Sequence, residues 1–153
     1  MPDLVFLQRH THILCASYQH WIGQPLLQNG LQEIASDVVQ QLMQAPFALV
    51  SHGTEADPIF NYANLLALQL FGMTWEEFTG LPSRYSAEPL ARAERASLLE
   101  RVERFGFIDD YCGVRIAKGG QRFKINQATV WNLLDENGQH YGQAALIRDW
   151  QAL

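Results

Sequence analysis

His52, Glu55 and Asp57 fall within one short segment of the chain. An imidazole near two carboxylates suits general-base chemistry if one acid orients the ring and a pocket holds a substrate. Gly53 and Pro58 give the same segment the composition of a strand connection, in which the acids cap backbone amides instead. The turn is the simpler reading, and no residue is assigned as catalytic. Arg84 lies in a loop bounded by Pro82 and Pro89. There it would clamp a carboxylate or phosphate in bidentate fashion, or hold the loop through an ion pair to Glu88 or Asp109.

A further set depends on strand parity. Tyr111, Gly113 and Arg115 alternate along one expected strand, Asn126 lies on the next and Gln143 on the last. If their parities match, they line a mostly apolar cavity with a few polar groups, the build of a small-molecule site. The alternative is that they bond loop backbone or face water. The candidate ligand-binding set is Tyr62, Arg84, Tyr111, Arg115, Asn126 and Gln143, with convergence expected among Tyr62, Arg84, Asn126 and Gln143. His10 and His12 are two apart near a terminus expected to be mobile, without a cysteine or carboxylate cluster, so no metal site is assigned.

The elements that must position these residues are marked by local chemistry. Phe47–Val50 and Ile59–Tyr62 read as strands, and Asn64 stands where an N-cap precedes the apolar helix that Gly72 closes. Thr74 and Glu77 form a capping box for a second short helix. A helix over about Leu90–Phe105 carries Leu98, Val102 and Phe105 as its buried row and a charged solvated face. From Phe107 the period changes to two, predicting strands Ile108–Ile116, Arg122–Leu134 and Tyr141–Arg148 joined by Gly-rich turns. Along Arg122–Leu134 neither face is uniformly apolar. Before Phe47 two helices are expected: Thr11–Trp21, and one capped at Asn29 with Gln32, carrying Leu31, Ile34, Val38 and Leu42. They cover the sheet of their own chain or form a dimer. Trp75, Trp131 and Trp150 read as core and rim packing.

Composition fits one domain, residues 47–153, after an N-terminal helical extension, residues 1–46. The chain has 153 residues, 48% of them apolar and 18% charged. A net charge of −5 with dispersed Lys and Arg argues against nucleic-acid binding. No apolar run reaches the ~18 residues a membrane helix needs. Cys15 and Cys112, far apart, build no disulfide framework and fit a reducing compartment, so a cytoplasmic protein is expected.

Five strands with a helical crossover between the second and third resemble the PAS fold, an α+β antiparallel sheet with helices on one face. More specifically, residues 51–64, Pro82-Ser83-Arg84, 86–89, 106–111, 113–116 and 128–133 resemble a MEKHLA domain. The segments 17–21 and 24–27 resemble the extension of its free-standing bacterial members. The resemblance implies a PAS-related sensory or interaction module, found alone in bacteria and at the C-terminus of plant homeodomain–leucine zipper regulators, where it modulates dimerisation. It implies no known ligand. A homodimer through the N-terminal helices, regulatory protein contacts and signal transduction follow as expectations, with a small pocket enzyme or a ligand-free interaction domain as alternatives. The cofactor stays unassigned: no cysteine lies between Cys15 and Cys112 for a covalent flavin adduct, and the long helix offers no haem-ligating histidine.

Overall fold

The computed structural model describes residues 2–27, 35–87 and 92–153. Helix α1, Leu4–Ile22, begins well before the expected Thr11 because the Asp3 carboxylate accepts from the Val5 N–H at 3.2 Å and caps it. Gly23, in the left-handed conformation, closes it. His10 and His12 therefore sit inside a helix rather than in a loose terminus, and His10 is fully buried. Helix α2 covers Ala35–Met43, with Val38 and Leu42 buried. Its expected cap at Asn29 and Gln32, with Leu31 and Ile34, lies outside the described residues.

Strands β1 (Ala48–His52) and β2 (Phe60–Ala63) pair antiparallel. Asn64 is the N-cap of α3 (Leu65–Phe71), its carbonyl oxygen accepting from Ala67 N–H at 3.1 Å, and Gly72 ends that helix in the left-handed region. The Thr74–Glu77 capping box starts α4 (Trp75–Phe78). After a short helical turn at Ser83–Ser86 comes α5 (Arg92–Phe105), followed by β3 (Phe107–Ile116), β4 (Arg122–Leu134), β5 (His140–Ile147) and β6 (Asp149–Ala152).

The antiparallel sheet runs β2-β1-β5-β4-β3, the α+β arrangement expected, with β3–β5 as a meander. β6 is additional. The mixed alternation of β4 has its cause in Gln127, the one non-glycine described residue with positive φ, at 49°. There the pairing with β3 slips, so two residues of β4 lie between Ile125 and Ala128 while one residue of β3 lies between Gly113 and Tyr111. Phe123 and Ile125 before this bulge, and Ala128 and Val130 after it, consequently face the same side. The bulge also divides the other edge of β4: Phe123–Asn126 pair with β6 and Thr129–Leu134 with β5.

Both faces of the sheet are covered. On one, α1 and α2 bury Leu49, Tyr62, Trp131, Leu133 and Leu146. On the other, α3, α4 and α5 bury Val50, Phe60, Ile125, Val130 and Ile147. Of the expected buried row of α5, Leu98 and Val102 are buried, but Phe105 is 64% exposed. The helix ends directly after it at Gly106 (φ 90°), so the last turn projects Phe105 into solvent beside Arg104. No helix among the described residues is long and apolar enough to cross a membrane.

Candidate functional site

A cavity lies between the sheet and helices α3 and α5, enclosing with its open mouth about 580 Å³ of empty space. Val50, Ile125, Val130, Ala145 and Ile147 form the sheet-side wall, Phe71 and Leu98 the opposite one. The polar side chains on its lining include Tyr111, Arg115 and Gln143 from the expected set, together with His52, Ser83 and Ser86. Among the described residues no carboxylate lines it.

Gln143 reaches the cavity because β5 presents Gln143, Ala145 and Ile147 on this face and Ala144 and Leu146 on the other. Its amide is only half satisfied. Nε2 donates to Asn132 Oδ1 at 3.1 Å, while Oε1 is buried without a hydrogen-bond partner. Asn132 Nδ2 in turn donates to the Val102 carbonyl at 2.9 Å, which fixes the orientation of both amides against the last turn of α5. An unmet buried acceptor costs on the order of 1–3 kcal/mol, so a ligand donor would gain by meeting it.

Tyr111, Gly113 and Arg115 share a face of β3, and Gly113 matters by its missing side chain. A Cβ there would fall on the Tyr111 hydroxyl. The Tyr111 ring therefore lies back along the strand, with the Arg115 guanidinium carbon 5.4 Å from its centroid. Arg115 keeps some surface in water, and no described carboxylate forms an ion pair with it. Burial lowers its pKa from the usual guanidinium value and the nearby Tyr111 works weakly the other way.

The expected convergence of Tyr62, Arg84, Asn126 and Gln143 is not found. The β1–β2 register shifts between Ser51 and His52, and Tyr62 turns to the opposite face, where its ring stacks on His10 (5.4 Å) and meets Trp75 edge-on (5.7 Å). Burial raises its pKa. Arg84 Nε donates to both oxygens of Asp57 at 3.1 and 3.0 Å, so its partner is the turn acid rather than Asp109, while Glu88 lies outside the described residues. Asn126 sits at the β4 bulge opposite Asp149 of β6. The His52 cluster is likewise dispersed. Asp57 is held by Arg84, Glu55 accepts from Ile59 N–H at 3.1 Å as a backbone cap, and His52 Nδ1 is 2.9 Å from the Gly53 carbonyl.

Two buried polar groups had little sequence signal. Asn132, a polar residue between Trp131 and Leu133, orients Gln143. His10 joins α1 to the other sheet face: Nε2 is 2.8 Å from Ser51 Oγ, Nδ1 3.3 Å from the Tyr141 hydroxyl. Ser51 donates its one proton to Asn61 Oδ1 at 2.5 Å, so His10 Nε2 is the donor to Ser51. Burial lowers the His10 pKa to about 4, with neighbouring Arg9 adding to the effect.

The MEKHLA domain model matches residues 8–152. The chain belongs to the MEKHLA domain family. Beyond this family match, the chain is 23% identical over 137 residues to homeobox-leucine zipper protein ATHB-9 of Arabidopsis thaliana, covering 88% of this chain but only 16% of that protein's length. Among solved structures, a PAS domain from Colwellia psychrerythraea superposes with a TM-score of 0.65 at 20% identity, over 76% of this chain and 97% of that one. The light-state dimer of the fungal blue-light photoreceptor Vivid gives 0.58 at 18% identity, over 88% and 93%. At these identities the structural likeness establishes the fold: this MEKHLA domain is PAS-like. Neither of its cysteines lines the cavity; Cys15 is a buried residue of α1 and Cys112 is exposed on β3.

Proposed function

We propose that this MEKHLA domain is a non-catalytic sensory module that holds a small molecule between its sheet and α3 and α5. The observation that carries this reading is Gln143 Oε1, a buried acceptor with no partner at the wall of a mostly apolar cavity. A folded core with no ligand to receive would gain by closing such a site or satisfying it. The polar connection through Asn132 to the end of α5, and the Trp21 indole donating to the Asn132 carbonyl at 2.9 Å, give the cavity a physical link to α1.

Native mass spectrometry of freshly purified protein tests the reading. It should show a species heavier than the 17.4 kDa chain by one small molecule, released on denaturation and depleted in Gln143→Leu. A bare-chain mass for the native protein, with cavity methyl resonances that no added apolar probe moves, would sink it.

The same reading carries regulation through protein contacts, including pairing of two copies through α1. The buried stripe of α1 is already spent on its own sheet, leaving Leu4 and Val5, 57% and 71% exposed, as apolar contacts. A contact that small implies a concentration-dependent dimer. Sedimentation velocity should show the average mass rising with concentration; one species of monomer mass throughout would rule pairing out.

A further inference from the structure

Arg115 is out of place in its surroundings. The cavity it lines is walled by Val50, Ile125, Val130 and Ala145, and no carboxylate lies on that lining among the described residues. The guanidinium has the Tyr111 ring at 5.4 Å and no described acid in an ion pair with it. Three arginines on the exposed surface are placed otherwise: Arg9 pairs with Glu136, Arg84 with Asp57 and Arg101 with Asp110. A part-buried cation is stabilised by an anion that satisfies its planar donor fork. Gly113, by leaving room for Tyr111 to lie back along β3, keeps one face of the guanidinium against an aromatic ring and leaves its edge for that anion.

We infer that the cavity takes a small amphipathic monocarboxylate, its carboxylate on Arg115 and its apolar body along Val50, Ile125, Val130 and Ala145. Gln143 Oε1, at the buried end of the Asn132 connection, is free to accept from a hydroxyl or N–H on the ligand body. A single guanidinium balances a monoanion. Among the described residues the lining has no lysine and no second arginine to balance a phosphate dianion. Desolvation, which disfavours the charged form of Arg115, makes the site one where an incoming anion gains more than it would at the surface.

This inference rests on the cavity being a ligand site, and the test separates the two. The 153-residue chain is titrated with hexanoate, 1-hexanol and inorganic phosphate, followed by calorimetry and by the amide resonances of Val50, Ile125 and Ala145. Hexanoate should bind about tenfold more tightly than hexanol, as expected for one charge-assisted contact. Added salt should weaken hexanoate and leave hexanol unchanged, and phosphate alone should not move the cavity resonances. In Arg115→Gln the preference for the acid should vanish while hexanol affinity stays. Arg101→Gln, on the solvated face of α5, should keep it. Equal binding of acid and alcohol to the native chain, or a preference that survives Arg115→Gln, overturns the carboxylate assignment and leaves the cavity reading intact. Should Arg115→Gln fail to fold, the salt dependence of hexanoate binding to the native chain decides the same question. Failure of both acid and alcohol to move any cavity resonance overturns the cavity reading, and the assignment with it.

Discussion

Asn64 joins three elements with one side-chain amide. Its oxygen accepts from Leu49 N–H at 3.0 Å and Ala67 N–H at 3.1 Å, and its nitrogen donates to the Leu42 carbonyl at 3.0 Å and the Phe47 carbonyl at 2.8 Å. The α2 exit, β1 and the start of α3 are thereby held at one fully buried point. Replacing it with Ala leaves several buried backbone groups without partners, each costing about 1–3 kcal/mol before any relaxation. Asn64→Ala should therefore lower the unfolding free energy by on the order of 3 kcal/mol or more in urea titration. Asn64→Asp, which keeps the acceptor but loses both donors and buries a charge, should be no milder. The cap itself was legible in sequence, because an Asn before an apolar helix has a local meaning. Its bonds to Leu42, Leu49 and Phe47 were not, since they depend on where those segments return in space.

At the scale of elements, α1 is fastened to the sheet by polar as well as apolar contacts. Leu134 N–H donates to Ser17 Oγ at 2.8 Å, the Trp21 indole reaches the Asn132 carbonyl, and His10 sits fully buried between Ser51 and Tyr141. The His10 pKa of about 4 in the folded chain lies below its ordinary 6.5. On unfolding between these values the ring takes up a proton that the folded state excludes, so acid favours the unfolded chain. The stability it contributes is complete above about pH 6.5 and falls as pH drops toward 4, by on the order of 3 kcal/mol. Urea midpoints at pH 7.5, 5.5 and 4 should decline, and His10→Gln should flatten that decline. A native chain with the same midpoint across this window would refute the account. Glu136, held down to about 2 by its hydrogen bond to Arg9, acts in a separate range below its ordinary value of 4.5, where acid removes its contribution. The strands and short helices of the sheet were legible from period and caps. The face of Tyr62 and the switch of side-chain alternation within β4 were not, because the register shift at Ser51 and the positive φ of Gln127 leave no mark in residue type. Three of the six expected ligand residues, Tyr111, Arg115 and Gln143, lie on the strand face the cavity uses; Tyr62, Arg84 and Asn126 do not.

The whole molecule is a sheet sandwiched between two sets of helices, one of which the N-terminal segment supplies. Leu49, Tyr62, Trp131 and Leu133 are each fully buried on the face that α1 and α2 cover. Removing residues 1–46 would return that face to water, where burial had contributed about 25 cal/mol for every Å² of apolar surface. A surface patch of that kind associates with whatever apolar surface it meets. The chain truncated to residues 47–153 should therefore appear in size-exclusion chromatography as aggregates or oligomers, bind a hydrophobic dye and melt less cooperatively than the full chain. Adding back a peptide of residues 1–27, which carries the whole of α1, should restore part of the lost cooperativity. A truncated chain that runs as a monomer and melts like the 153-residue chain would mean that α1 is an appendage, and that the cavity face alone supplies the core.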